Sequence, residues 1–233
     1  MYNPELYLTT LSNFTKVLLT PYDVHAALVE LADRVTQMLD LRGSGVSLAH
    51  QDRLEFDSGN KPDIVALEKV QQDTQCGPCV EAFRTGSPVV VVDLTAEAGR
   101  WPQYCEVAEQ LGISAVASIP MQLVGQAVGA LNLYARGVRV WEPQDVAAAI
   151  VMADMATAYL INASHHHQQV QLAEQLQQAL DTRLMIEQAK GMLAARHRIT
   201  PDQAFERLRH HARDRRAKVH AVAHAVVELG LEI

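Results

Sequence analysis

The sequence predicts an α+β domain built on an antiparallel sheet, joined by a long helix to an all-α three-helix bundle. Three observations support this fold class. Residues 115–135 alternate like a β-hairpin, residues 144–190 contain no Gly or Pro, and residues 200–203 form a helix start signal. Short strands in succession, flanked by helices, are typical of α+β architectures.

The N-terminal part is expected to alternate between helices and strands. Its first ~40 residues are predicted to be helical, because Leu28, Leu31, Val35 and Leu39 recur at the spacing of one helix face. Another helix fits residues 64–72. Strands are expected where polar and apolar residues alternate or valines cluster: 46–50, 53–59, a buried strand at 89–93, and a hairpin at 115–135 with its turn at Gly125-Gln126.

Residues 144–190 predict a helix of 47 residues, about 70 Å long at 1.5 Å per residue. Because one domain does not need so long a helix, it is expected to leave the first domain and pair with a second copy as a coiled coil. An interruption at residues 162–164 stays open. The predicted seam, the line facing the partner, consists of Leu172, Leu176, Ala179, Ile186 and Leu193.

Two shorter helices complete the predicted bundle. The first starts at Thr200-Pro201-Asp202-Gln203, where Thr is the N-cap and Gln, three residues later, closes a capping box. The second is predicted from the i, i+3, i+4, i+7 spacing that begins at Val219, and it ends at Gly230.

Charge divides the chain into two parts. Residues 1–176 carry 10 basic and 20 acidic side chains, whereas residues 177–233 carry 10 basic and 7 acidic ones. This asymmetry suggests an acidic domain joined to a small polyanion-binding one. With 48% hydrophobic residues and three cysteines, the chain is expected to be neither disordered nor disulfide-stapled. No membrane association and a cytoplasmic location are the expectations.

Arg183, Glu187 and Lys190 share one helix face. The two cations among them interrupt the apolar line of the predicted seam. A bound phosphate or an ion pair with Glu187 would compensate them. Gly191 follows in the helix interior, where glycine costs about 1 kcal/mol relative to Ala. Either tight helix packing or the close approach of another backbone explains such a glycine.

Residues 180–193, with 199–212, closely resemble the ANTAR family of RNA-binding antiterminators. The resemblance implies a dimeric module without catalytic activity that binds hairpin loops in nascent transcripts and acts on RNA polymerase indirectly. Ala189, Lys190 and Gly191 match the family's characteristic triplet, and Arg183 and Lys218 match basic positions. Where the family commonly has Asn, this chain has Arg216.

Further cations are predicted on physical grounds alone. Arg196, Arg198 and Arg215 are interpreted as phosphate-facing residues. RNA loops are usually bound by stacking of their bases on aromatic rings or guanidinium planes. Because Phe205 lies in the apolar pattern, it is predicted to be core, and stacking is expected from arginines.

Residues 77–94, 112–120 and 128–133 resemble the GAF family of small-molecule-sensing domains. The predicted boundaries are a GAF sensor with its N-terminal helix at 1–163, a coiled-coil linker at 164–179 and the RNA-binding domain at 180–233. The ligand is not identified. Its pocket is expected between the sheet and the segment near residues 101–113.

Two alternatives stay open. Cys76 and Cys79 have the spacing of a redox pair and would suit a redox-sensing signalling protein, although a chance spacing within the GAF motif is preferred. The last two helices can also be drawn as a DNA-binding helix-turn-helix, but Ala217, Ala221 and Ala225 stand where base-reading side chains are expected. No cofactor, metal site or enzymatic activity is predicted.

Overall fold

The computed structural model describes residues 3–20, 22–51 and 53–233, which form two compact units, 1–164 and 165–233. The first unit contains a five-stranded sheet and flanking helices. Its elements are α1 (Pro4–Val17), α2 (Val24–Met38), β1 (Gly43–His50), β2 (Arg53–Gly59), α3 (Pro62–Thr74), α4 (Pro78–Thr85), β3 (Val89–Val91), a 3-10 turn (Leu94–Glu97), α5 (Pro102–Gln110), β4 (Ala115–Leu123) and β5 (Gln126–Ala135). Helix α6 (Pro143–His197) runs from the first unit into the second, where α7 (Pro201–Asp214) and α8 (Val219–Glu228) follow.

The sheet has the order β2-β1-β5-β4-β3, and all neighbouring strands are antiparallel. This confirms the predicted α+β class. The β4–β5 turn lies one residue earlier than expected, at Val124-Gly125, because Leu123 pairs with Gln126. Strand β3 was predicted as buried, but it is an edge strand of three residues, and Val90 remains 41% exposed.

The two faces of the sheet differ in what covers them. One face packs on α1, α2 and the first part of α6 through an apolar core that includes Leu31, Leu131 and Tyr159. The other face lies under α3, α4 and α5, and its apolar residues form two separate clusters around Tyr104 and around Val80. The same elements also carry buried polar side chains, among them Glu68, Gln71 and Asn132.

Helix α6 is continuous over 55 residues and includes residues 162–164, where an interruption had been left open. Among the described residues it is also the one helix long and apolar enough to cross a membrane by composition, although no such stretch was expected. Within the first unit, one face of α6 contributes core residues, namely Ala148, Ala149, Met152, Ala153, Ala156 and Tyr159.

The second unit is a three-helix bundle whose core joins the end of α6 to α7 and α8. The predicted capping box is present: Thr200 Oγ1 accepts from the Gln203 backbone N–H at 3.2 Å, and Gln203 Oε1 accepts from the Thr200 N–H at 3.0 Å. The fully or nearly fully buried residues are Ala189, Leu193, Ala204, Leu208, Ala212, Val222, Ala223 and Val226.

The predicted seam is wrong at its C-terminal end. Leu193 is fully buried in the bundle, and Ile186 packs against the same core, so neither faces outward. In a straight helix, a seven-residue spacing drifts by about 20° per repeat, which turns this line into the bundle. The large aliphatic side chains that remain exposed on α6 include Leu172, Leu176, Leu180 and Leu184, at 57–61%.

Candidate nucleic-acid interface

The predicted basic residues occupy two ends of the bundle. Helices α6 and α7 are joined by the short turn at 198–200 and share one core, so they run antiparallel. Arg183 therefore lies level with the α7–α8 turn that carries Arg215, Arg216 and Lys218. Arg196 and Arg198 lie at the opposite end, about 20 Å along the helix from Arg183.

Lys190 lies between these ends in an ion pair. Its Nζ donates to the two carboxylate oxygens of Glu187 at 2.8 and 2.9 Å. The Lys190 side chain is 16% exposed, whereas that of Glu187 is 55% exposed. The predicted local ion pair therefore exists, and it holds the lysine head in place at the edge of the bundle.

Phe205 adds an aromatic ring to this place. Lys190 Nζ lies 5.6 Å from the ring centroid, and Arg209 Cζ lies 5.9 Å from it. The ring is partly buried and packs against the bundle core, which bears out the predicted core position in part. The sequence prediction did not include the contact between Arg209 and Phe205. Their i, i+4 spacing permits it, but the contact with Lys190 depends on how α6 and α7 pack.

The characteristic triplet Ala189, Lys190 and Gly191 contains one buried residue and one exposed residue beside the lysine. Ala189 is fully buried against Leu208 and the rest of the bundle core, so it cannot contact a ligand directly, which corrects its inclusion among the contact residues. Gly191 is exposed, and a Cβ at this position would meet nothing within 4 Å. Within the described chain, therefore, no other helix packs tightly against this glycine, and packing inside the bundle does not explain it. Its backbone is open to an approaching molecule.

The turn after α7 presents cations in a constrained backbone. Arg216 has φ = 51°, in the left-handed region, where Asn is tolerated better than Arg. This conformation gives a physical reason for Asn at the equivalent family position. Lys218 is the N-cap residue of α8, and its side chain makes no capping hydrogen bond. Arg215, Arg216 and Lys218 are all exposed; Arg215 is the C-cap of α7, at the negative end of its dipole, whereas Lys218 is at the positive end of α8.

Arg196 and Arg198 lie apart from the Lys190 face. Arg196 is six residues beyond Lys190, which places it about 120° away around α6. Its guanidinium donates to the Leu231 carbonyl at 3.5 Å. Arg198 ends α6 with φ = 54° and is exposed. Arg183 and Lys190 thus share one face of α6, seven residues apart, and Arg196 and Arg198 do not belong to this face.

The two cysteines of the proposed redox pair have unlike surroundings. Cys76 is exposed, whereas Cys79 is buried and its Sγ accepts from Asn132 Nδ2 at 3.1 Å. Burial and the negative charge of Glu68 raise the pKa of the Cys79 thiol well above its ordinary value. A reactive cysteine requires the opposite shift. Cys79 therefore does not have the surroundings of a redox residue. Among the described residues, no cluster of His, Cys, Asp or Glu could hold a metal ion.

Comparisons with known proteins agree with both units. The GAF domain family profile matches residues 23–160, and the ANTAR domain family profile matches residues 174–227. The comparison with curated proteins returns no match.

Similar solved structures include two GAF domains of phosphoenolpyruvate-protein phosphotransferases. The domain from Coxiella burnetii is 14% identical with a TM-score of 0.55, covering 71% of this chain and 99% of that chain. The one from Acinetobacter is 11% identical with a TM-score of 0.54, covering 72% and 99%. The free methionine-R-sulfoxide reductase of Neisseria meningitidis is 16% identical with a TM-score of 0.54, covering 69% and 91%. At these identities the likeness concerns the fold. The chain belongs to the GAF domain family, and it carries an ANTAR domain at its C-terminal end.

Proposed function

We propose that this protein is a cytoplasmic RNA-binding regulator that grips hairpin loops in nascent transcripts and promotes antitermination, under the control of its GAF domain. In this proposal residues 1–163 form the sensor, 164–179 the linker and 180–233 the RNA-binding domain. It acts on RNA polymerase through the transcript and catalyses no reaction. One observation supports this most directly: Lys190, fixed by Glu187, lies beside the exposed and unobstructed backbone of Gly191.

The residues of this surface are suited to the phosphates and to the unpaired bases of an RNA loop. Arg183, Arg216 and Lys218 offer charge to phosphates, which positions a hairpin without reading its sequence. Phe205 is partly buried with Lys190 and Arg209 over its ring, so stacking of an unpaired base is expected from the exposed arginines. The open backbone at Gly191 lets a ribose or base come closer than a side chain would permit.

The exposed leucines of α6 suit pairing with a second copy of the chain. Leu172, Leu176, Leu180 and Leu184 recur every four residues and stay more than half exposed. Burying one Leu side chain contributes about 1.5–3 kcal/mol, so covering these positions in a paired helix would stabilise a homodimer. A dimer presents two RNA-binding modules together.

The test is the affinity of the full chain for RNA hairpins from leader transcripts of its host. Lys190→Ala should lower this affinity about tenfold or more, because a charge-assisted contact contributes about 1.5–3 kcal/mol. Lys69→Ala is the matched control, since it removes one exposed cation from α3 in the first unit. It should leave RNA affinity unchanged.

Competition between the RNA hairpin and duplex DNA at the same salt concentration distinguishes RNA binding from the DNA-binding alternative. The hairpin is expected to bind more tightly than the duplex. A preference for duplex DNA, or hairpin binding by Lys190→Ala that equals the parent, would contradict the proposal. Circular dichroism and sedimentation of the variant should match the parent, which shows that its fold and assembly are intact.

A further inference from the structure

A row of buried polar side chains crosses the sheet face beneath α3, α4 and α5. Two of its members, Tyr104 and Tyr134, also belong to the apolar cluster around Tyr104, and its Asn132 Nδ2 donates to Cys79 Sγ in the cluster around Val80. Every member is at most 3% exposed, and the row consists of Ser47, Glu68, Gln71, Tyr104, Ser118, Asn132 and Tyr134. Because burying polar groups is costly, such a row in the middle of a core calls for a function.

Glu68 is the centre of this row. Its Oε1 accepts from Tyr134 Oη and from Asn132 Nδ2, each at 2.7 Å. Its Oε2 accepts from Ser47 Oγ at 3.2 Å and from Gln71 Nε2 at 3.3 Å. One oxygen is thus held tightly, while the other has two long contacts and remains the better acceptor for an additional donor.

No cation balances this carboxyl group. The described residues form no ion pair with Glu68, and the factors that act on its pKa are burial, which raises it, and hydrogen bonds. A buried carboxylate without a positive partner is unfavourable, and a charge brought by another molecule would compensate it.

Three further polar atoms in the row lack partners. Among the described residues, Asn132 Oδ1, Tyr104 Oη and Ser118 Oγ make no hydrogen bond. Ser118 lies directly opposite Asn132 in the β4–β5 register, so these two side chains project from the same face of the sheet. One unpaired carbonyl and two unpaired hydroxyls therefore accompany a carboxyl group, and all of them can accept a hydrogen bond.

Tyr104 links the row to the surface. It lines a pocket of about 270 Å³ together with Thr74, Cys76, Trp101, Pro102 and Gln103. Arg100 closes one side of this region, because its guanidinium stacks on Trp101 at 4.4 Å and pairs with Glu81 and Glu97. The pocket thus has an aromatic wall, and one of its lining residues, Tyr104, is also a member of the buried row.

We propose that this pocket binds a small molecule carrying an ammonium or amidinium group, which enters past Trp101 and Tyr104 and donates hydrogen bonds to the buried row around Glu68. This deepens the proposed function by assigning a ligand class to the sensor domain, and it rests on that domain being the sensor. The same site disfavours phosphates and carboxylates, because its buried end offers the Glu68 carboxyl group, and the one cation placed beside Trp101 in the described residues, Arg100, is already paired with Glu81 and Glu97.

The test uses three probes of one shape, benzamidine, benzamide and benzoate, titrated into the full chain by calorimetry. Benzamidine should bind at least about tenfold tighter than benzamide, and benzoate should not bind measurably. Benzamidine should also slow the alkylation of Cys76, which lines the pocket. Equal affinities for benzamidine and benzamide, comparable binding of benzoate, or no saturable benzamidine binding would overturn the proposal.

Substitutions in the buried row test whether benzamidine binds there. Glu68→Gln keeps the shape of the side chain and should lower benzamidine affinity about tenfold, to that of benzamide. Glu55→Gln, at an exposed position of β2, is the matched control and should change nothing. Tyr104→Phe keeps the ring but removes the hydroxyl, and it should weaken benzamidine severalfold even if the Glu68 variant folds poorly. Unchanged affinity in a folded Glu68→Gln protein refutes the assignment.

No RNA takes part in these titrations, so they are independent of the antitermination proposal. Hairpin affinity of the same preparation is measured separately. A chain that binds benzamidine but no hairpin contradicts the RNA function and retains the ligand class. A chain that binds hairpins but prefers benzoate contradicts the ligand class alone.

Discussion

Replacing Gly191 by Ala separates stability from RNA binding at one position. Gly191 lies inside α6, where glycine is about 1 kcal/mol less favourable than Ala. A Cβ there meets nothing within 4 Å, so no steric cost offsets this gain in the free chain. The variant should therefore be more stable by about 1 kcal/mol, which corresponds to a factor of about 5 in an equilibrium constant.

Amide hydrogen exchange of the full chain measures this gain locally. Amides of α6 that exchange through local opening should exchange about fivefold more slowly in Gly191→Ala than in the parent. Hairpin affinity should fall about tenfold in the same protein, because the methyl group occupies the space where the RNA backbone approaches. Higher stability with weaker binding is the combined expectation.

A control isolates the effect of the site. Gln178→Gly alters an exposed α6 position about 140° around the helix from Gly191, so it should reduce helix stability and leave RNA affinity unchanged. If the α6 amides of Gly191→Ala exchanged more slowly but the variant bound hairpins like the parent, close approach of RNA at this backbone would be refuted. Faster amide exchange in the variant would show that the added methyl group meets a steric obstacle, and would refute the open surroundings of Gly191.

Three further predictions concern single side chains. Arg216→Asn should stabilise the bundle by about 0.5–1 kcal/mol in urea unfolding, because Asn tolerates positive φ better, while it weakens hairpin binding through the lost cation. Iodoacetamide should modify Cys76 in the native protein and spare Cys79, as peptide mass spectrometry will show; rapid labelling of Cys79 would contradict its burial. Burial raises the pKa of Glu68 above its ordinary 4.5, so the folded state binds more protons than the unfolded one and stability falls as pH rises from 4.5 through the folded pKa. Glu68→Gln should remove this fall, which unfolding at a series of pH values measures.

The bundle was predictable because its signals are local. The Thr200 capping box, the Val219 spacing and the absence of breakers through residue 190 each act within a few turns of helix. The Glu187–Lys190 pair follows from i, i+3 spacing in the same way. The seam failed at Leu193 because a heptad count cannot tell which side of a helix a bundle will cover.

The polar row could not be predicted from the sequence. Glu68 lies on a helix in which Leu67 and Val70 suggested an ordinary amphipathic face, and its partners Asn132 and Tyr134 are more than 60 residues away. Phe205 illustrates the same difficulty, since an apolar pattern predicts burial but not which edge of a ring stays exposed. Long-range packing determines both features.

Gly191, Arg216 and Glu68 share one physical property. Each breaks a local rule without a packing reason within the described chain: a glycine in open space inside a helix, an arginine at positive φ, and a buried carboxyl group without a cation. Local inconsistencies of this kind occur mainly where function requires them. Ala and Asn would make the isolated chain more stable at the first two positions, and Gln would remove the unbalanced buried charge at the third, so the contacts that favour the existing residues are expected in the complexes. The two positions in the bundle lie where RNA is proposed to bind and the third where the sensor ligand is proposed to bind. Each of these substitutions should therefore weaken the corresponding complex.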